Sequence, residues 1–476
     1  MKKLSGLLFG LIMVTTVFAQ DALMSILDQE FPAHELKSDL AFIRNKAEFK
    51  RFGGDGFLYA GKERFYSLYD SIEKVIEEKG TMSRQSFYFL TAPLIRCLQD
   101  DASYYGLAID GAIEFHGRGN ETFAMNIVLP FNIAIYKDTA SITGFNPELN
   151  RCRIASINET PVSQIAADVF RHTSSSADYY FSKHRSGFLN LSNQALLLYA
   201  LYGFRDSVEI RYYPSGLNVI SSLTIHLKEP GDIGFSKNPE RRTAEDNWFS
   251  LEEESGFAVL RIKTLPNMET NLTSVNLVFR NINDLNPKGL IIDIADCSWS
   301  HDMFWVVLLN FLHDGKLWLY QYHDEPQDPG KYIKKRMKHR DYISGKYSDM
   351  DRNNKFFGDI YLITGSATAN AAVRFADIMR YNNIARRIYG EETFSRTTQY
   401  ANSNHYELPV TKLRLRLSTV LNYAFDKNHD RNGLLPDVVI NPKTQGEYWE
   451  NKNNHLIIKR VIDHIHSIDL YENPTH

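Results

Sequence analysis

The chain has 476 residues, 43% hydrophobic and 13% aromatic, with 54 Lys and Arg against 57 Asp and Glu for a net charge of −3. A chain of this size and composition buries at least one sizeable core. Its near-balanced charge excludes bulk electrostatic attraction to nucleic acid or to an anionic membrane surface.

Lys2 and Lys3, then an apolar run over residues 4–18 with the small residues Val17 and Ala19, predict a secretory leader (residues 1–19) cut after Ala19. No cysteine follows that cut, so no lipid anchor is expected there. No later run of 18 apolar residues spans a membrane, so the mature chain is expected to be soluble and exported, periplasmic or extracellular. The three cysteines, Cys97, Cys152 and Cys297, are odd in number and far apart, which argues against a disulfide framework and leaves room for one bridge.

Residues 20–125 read as a helical N-terminal region. One helix is predicted over 65–79, ending at Gly80. A second covers 83–98, with Phe87, Leu90, Leu94, Ile95 and Leu98 on one side and Pro93 as a kink. Asp100 and Asp101 follow it and read as a solvated helix end rather than as a metal or acid–base pair.

Residues 126–230 read as short strands over 127–135, 139–142, 152–157, 210–213 and 221–227. The turn Asn158-Glu159-Thr160-Pro161 leads into a helix over 162–170. Strand, turn and short helix in this order suit a PDZ-like module that holds an extended peptide, with Ile154, Ile157, Asn158 and Ile165 as its candidate binding residues. A plain β-barrel fits the pattern equally. Residues 231–246 are polar and form the candidate linker.

Residues 247–445 alternate strands and helices and predict an α/β core, making the whole chain α+β; a helix over 455–468 closes the C-terminal segment 446–476. Ligands of such sheets sit at the carboxyl ends of the strands. That places the loop 295–301, after the strand GLIIDI, beside the turn 365–371, after the strand IYLIT. The turn is made of small residues and opens a helix, so it presents a side chain and backbone N–H groups at a helix N-terminus. Hydrolases use that geometry for a nucleophile and its oxyanion hole.

Several segments, in this order, resemble the tail-specific, or C-terminal-processing, serine peptidases in their exported bacterial form. They are SRQSFYFLTAPLIRCLQDD, CRIASINETPVSQI, GLIIDI, ANAAVRFADIMRYNNIARRIYGEET, LPVTKLRLRLSTVLNYAF and GLLPDVVI. The resemblance implies a helical N-terminal region, a PDZ-like β module and a peptidase core of the tail-specific type. It also implies peptide or protein segments as partners and no cofactor or metal.

The departures fall where that family keeps its chemistry. Anchoring on Phe375-Ala376 puts Asn370 at the nucleophile position, and a register one residue on gives Ala371; neither is a nucleophile. The lysine of the family's Ser–Lys dyad falls on Arg396, which stays protonated and cannot act as a base. The other branch's histidine falls on Ala102, and the Gly-Gly oxyanion loop falls on Trp299-Ser300. Loss of a nucleophile and its base removes ~10⁶ of rate.

Ser366 and Thr368 are the fallback hydroxyls in the same turn. A Cys297–His301 pair is weaker than a plain buried cysteine, and Glu391-Glu392 reads as structural. His405, Asp426, His429 and Asp430 could be assembled into a metal set. The loop around His429, however, has Val439 where a calcium loop needs its last acidic ligand, so no metal is expected. Whether the chain is an enzyme stays open. The favoured reading is an inactive peptidase relative that binds extended peptide or a protein partner; the alternative is an endopeptidase using Ser366 or Thr368.

Overall fold

The structure is a computed structural model. It describes residues 25–49, 57, 59, 61–100, 103–107, 127–137, 139–143, 149, 152–172, 183–184, 187–189, 194–214, 217–228, 248–265, 268–297, 299–300, 304–314, 316–319, 335–338, 354–422, 424, 432–440 and 455–472. The expected leader, the linker 231–246, Asp101, Ala102, His301 and the loop 426–430 lie outside the described residues. The chain divides into two compact units: residues 1–242, 324–329 and 400–420 make the first, and 243–323, 330–399 and 421–476 make the second. The sequence grouped residues 400–420 with the α/β core; by their contacts they belong to the first unit.

The first unit begins with β1 (Glu30–Pro32), α1 (Ala33–Phe49), α2 (Lys62–Lys79), β2 (Thr81–Ser83), α3 (Arg84–Arg96) and β3 (Tyr104–Gly106). Phe65, Tyr69, Ile72 and Ile76 recur at helical spacing and form the buried stripe of α2. That helix stops where Gly80 takes φ 71° and donates its N–H to Ile76. Ser83 caps α3 by accepting the Ser86 N–H at 3.2 Å. There follow β4 (Asn132–Tyr136), β5 (Thr139–Thr143), β6 (Arg153–Ile157), β7 (Thr160–Pro161), α4 (Val162–His172), β8 (Gly187–Leu189), α5 (Ala195–Tyr202), β9 (Ser207–Tyr213) and β10 (Ser221–His226). Six strands lie in the order β10-β9-β6-β5-β4-β8, with β7 beside β6. Helix α5 lies in a stretch for which the sequence pattern predicted no element. Its run ALLLYALY is apolar all round, so no helical period marks it.

The second unit contains β11 (Phe249–Glu254), β12 (Phe257–Ile262), β13 (Thr264–Leu265), α6 (Met268–Asp284), β14 (Gly289–Asp293), β15 (Trp299–Ser300), α7 (Phe304–Leu312), β16 (Lys316–Leu319), β17 (Lys335–Lys338), β18 (Asp359–Thr364), α8 (Ala371–Tyr381) and β19 (Arg387–Gly390). Next come β20 (Gln399–Glu407) and β21 (Arg414–Asn422), most of which belongs to the first unit, where β21 pairs with β3. β22 (Val438–Val439) and α9 (His455–Glu472) complete the chain. The central sheet runs β11-β12-β14-β18-β19-β22, parallel from β12 onward, with β11 antiparallel at one edge.

Both faces of this sheet are covered, which is why its strands read as unbroken apolar runs. Leu260, Ile292 and Leu362 point into one core with Phe279, Phe304, Phe311 and Phe375. Val259, Ile291, Tyr361 and Ile363 point the other way, onto Ile458, Val461 and Ile465 of α9. Among the described residues, no helix is long and apolar enough to cross a membrane.

Candidate functional site

The parallel sheet brings the ends of β14 and β18 side by side, and the loops that leave them meet directly. Ala369 donates its N–H to Cys297 O at 3.1 Å, and Ile294 donates to Ile363 O at 3.0 Å. The expected juxtaposition of loop 295–301 with turn 365–371 is therefore present. The approach is so close that a Cβ on Gly365 would lie 2.8 Å from Ala295 Cβ and 2.9 Å from Ala295 O; only glycine fits there.

Asn370 is the pivot of the turn. It takes φ 54° and ψ −125°, is exposed, and directly precedes α8, whose first residue is Ala371. A residue with a Cβ is strained there by about 1–3 kcal/mol, and such strain persists only where neighbours fix it. The neighbours are specific. Asn370 N–H points to Ser395 Oγ at 3.4 Å, and Phe394 N–H donates to Thr368 O at 2.9 Å. Of the two registers open in the sequence, 370 carries the elbow conformation and 371 is ordinary helix. Ser395, buried and 25 positions away, is a contact that no local pattern announces.

Thr368 is a structural hydroxyl. It is fully buried, donates to Ile294 O at 2.8 Å and accepts the Gly365 N–H at 2.9 Å. It thereby ties the turn to the end of β14 and has no proton free for transfer. Ser366 is half-buried in the same turn. Cys297 is buried beneath it, and burial, with the Asp296 and Asp293 charges adding, pushes its thiol up to about 12, so it carries no thiolate at neutral pH. Asp293 closes the floor of the loop: it accepts the Ala295 N–H at 3.0 Å and lies 3.7 Å from the Arg261 guanidinium.

No protein-family profile matches this chain, and no characterised protein matches it by sequence. Solved structures do match. Mature CPAF complexed with lactacystin superposes at TM-score 0.59 and 13% identity, covering 90% of this chain and 98% of that one. Mature CPAF superposes at TM-score 0.54 and 11% identity, covering 86% and 92%. This is the tail-specific protease fold. The photosystem II D1 C-terminal processing protease aligns at TM-score 0.44 and 12% identity over 86% of this chain and 92% of that one. At these identities the likeness concerns the fold and leaves the chemistry to the residues present.

Within the tail-specific protease fold, the other expected site residues fall as follows. Trp299 and Ser300 form β15, whose extended backbone pairs in parallel with Thr264 and Leu265. Arg396 is buried and bridges to Gly433. The segment around it is latched by Thr393 N–H to Leu434 O, Thr397 N–H to Asn432 O, and Gly433 N–H to Glu392 Oε1 at 3.0 Å. Glu392 is thus structural, as its sequence context suggested. All three cysteines are buried and none is in a disulfide, so the single bridge left open by the sequence is not formed.

In the first unit, Ile154, Ile157 and Ile165 belong to the hydrophobic core, and β6 is paired on both sides by β5 and β9. All three side chains are buried. Asn158 takes φ 44° in the turn before β7, and its Oδ1 accepts the Glu209 N–H at 2.7 Å. Asp100, expected to be a solvated helix end, is instead buried. It accepts Ser103 N–H and Oγ, both at 2.6 Å, and Ser418 Oγ at 2.9 Å. Ser418 comes from β21, and sequence proximity could not have supplied it.

Proposed function

We propose that this chain is an exported protein of the tail-specific protease fold that no longer hydrolyses peptide bonds and instead binds an extended peptide or protein segment. One observation carries the reading. Asn370 stands in the elbow where the fold's nucleophile would stand, exposed and strained, with a carboxamide in place of a hydroxyl. The base positions agree with it. Arg396 cannot accept a proton, and Ala102 offers no group that could. The neighbouring Thr368 hydroxyl and Cys297 thiol are buried in structural roles. The ligand-binding end of a parallel sheet is kept while its acid–base groups are replaced, which suits recognition without turnover.

The leader-like residues 1–19 support export. N-terminal sequencing of protein recovered outside the cytoplasm is expected to begin at Gln20. The test of the chemistry is fluorophosphonate labelling of the purified chain beside digestion of an unfolded protein such as casein. Neither labelling nor cleavage is expected. Adduct formation on Ser366, with cleavage abolished by Ser366→Ala, would overturn the reading in favour of a rearranged serine endopeptidase.

A further inference from the structure

The two large sheets finish their edges differently. In the second unit the edge strand β11 ends in Glu252-Glu253-Glu254, a run of like charge that repels any copy of itself. In the first unit the edge strand β10 has no such protection. Residues 217–227, LNVISSLTIHL, contain no Asp, Glu, Lys, Arg, Pro or Gly. β10 pairs antiparallel with β9 on one side. Over Ser221–His226 its other side is unpaired among the described residues, and beyond it Lys228 bridges to Val128.

The apolar side chains along this edge are turned out. Leu217 is 58% exposed, Val219 68%, Ile220 52% and Leu223 38%, whereas Ile225, two residues on from Leu223, is buried. Leu223 lies in register with the buried Ile210, so the core face of the hairpin continues past the point where the unit covers it. An exposed, uncharged, apolar edge of this length is a template for further strand pairing.

We infer that β10 pairs with β10 of a second copy of this chain, antiparallel across a two-fold axis. An uncharged strand is self-complementary: any register within residues 217–227 sets no like charges opposite one another. Isologous pairing consumes both open edges at once, so the assembly stops at two copies rather than growing into a fibre. The opposite edge of the same sheet, β8, is only three residues long and leaves little to propagate from. Val219, Ile220 and Leu223 of each copy are covered by the other.

The experiment is light scattering on the purified full chain from micromolar to millimolar concentration, with hydrogen exchange read at the amides of Ser221–His226. The expected mass is twice that of the chain, and protection of those amides rises with concentration. The double variant Val219→Lys/Leu223→Lys is expected to halve the mass while keeping a cooperative melt whose midpoint, unlike that of the wild type, does not rise with concentration. Leu277→Lys, an exposed leucine of the second unit, is expected to leave the dimer intact. A wild-type chain that stays monomeric overturns the inference, as does a dimer whose edge amides show no dependence on concentration. Edge amides protected only when another peptide or protein is added also overturn it, in favour of a foreign strand. The exchange readout on the wild type stands even if the double variant misfolds.

Discussion

Replacing Asn370 by serine puts a hydroxyl at the elbow without providing a base, and it separates a missing nucleophile from a missing dyad. The backbone stays at φ 54°, ψ −125°, where serine is somewhat less at ease than asparagine, so about 1 kcal/mol of stability at most is lost. The hydroxyl keeps its ordinary reluctance to ionise, because the guanidinium of Arg396 is no proton acceptor. A nucleophile and base acting as a unit supply ~10⁶ in rate, about 8 kcal/mol of barrier, and restoring one alone recovers almost none of it. Asn370→Ser is therefore expected to remain unlabelled by fluorophosphonate and inactive on unfolded protein. Adding Arg396→Lys supplies a titratable amine whose burial lowers its proton affinity, so the double variant should exceed the single one by ~10² or more. The assay is peptide hydrolysis by both variants with melting curves as the control for folding. Hydrolysis by Asn370→Ser alone at the rate of the double variant would refute the reasoning.

Thr368→Val keeps the shape of the side chain but leaves the Gly365 N–H buried without its acceptor, at roughly 1–3 kcal/mol, while Ile294 O keeps the Cys297 N–H at 3.0 Å. Melting of the second unit should fall by several degrees; an unchanged melting temperature would show that the hydroxyl is dispensable. Asp100→Ala strips the acceptor from three donors on Ser103 and Ser418, at about 2–4 kcal/mol, and Asp100→Asn should cost less because one oxygen remains. Denaturant titration followed by proteolysis of the first unit reads the difference, and equal losses in the two variants would contradict it. Cys297 should resist alkylation in the native chain at pH 8 and react on unfolding. Its thiol is held up to about 12 when folded against 9.0 when free, so the native state keeps the proton more tightly. The stability it contributes is complete below pH 9 and fades as the pH rises towards 12. Rapid native alkylation would refute its burial.

Where apolar period and punctuation coincide, the elements are legible in the residues themselves. GLIIDI became β14 and IYLIT became most of β18. Each is long enough for its pattern to outvote chance, and each is bounded by glycine or a polar loop. Two-residue strands such as β13 and β15 are created by a partner elsewhere in the chain, and no local period can encode them. The candidate site divides in the same way. The elbow at 370 and the facing loop follow from strand order, which alternation of strands and helices predicts. The burial of Asp100 depends on Ser418, and the support of Asn370 depends on Ser395; both are tertiary contacts. The groove residues Ile154, Ile157 and Ile165 show the converse: an apolar residue flanking a turn reads alike whether it faces a ligand or the core, and here the core has it.

The elbow is held by bonds that do not require a hydroxyl at residue 370. Several bonds that fix the elbow run through backbone atoms or through residues other than 370. Ala369 N–H reaches Cys297 O, Phe394 N–H reaches Thr368 O, Asn370 N–H reaches Ser395 Oγ, and Thr368 Oγ1 spans Gly365 and Ile294. Gly390 adds a steric condition at the next strand: it takes φ 107°, and a Cβ there would fall 2.1 Å from Thr364 O. Residue 370 is exposed, and these bonds require no hydroxyl of its side chain, so they stand with a carboxamide there. The opposite substitution, a side chain on Gly365 or Gly390, would break the elbow whatever stood at 370. Architecture and catalysis are thus carried by different atoms of one turn. A chain can keep this strained conformation with a carboxamide at its apex.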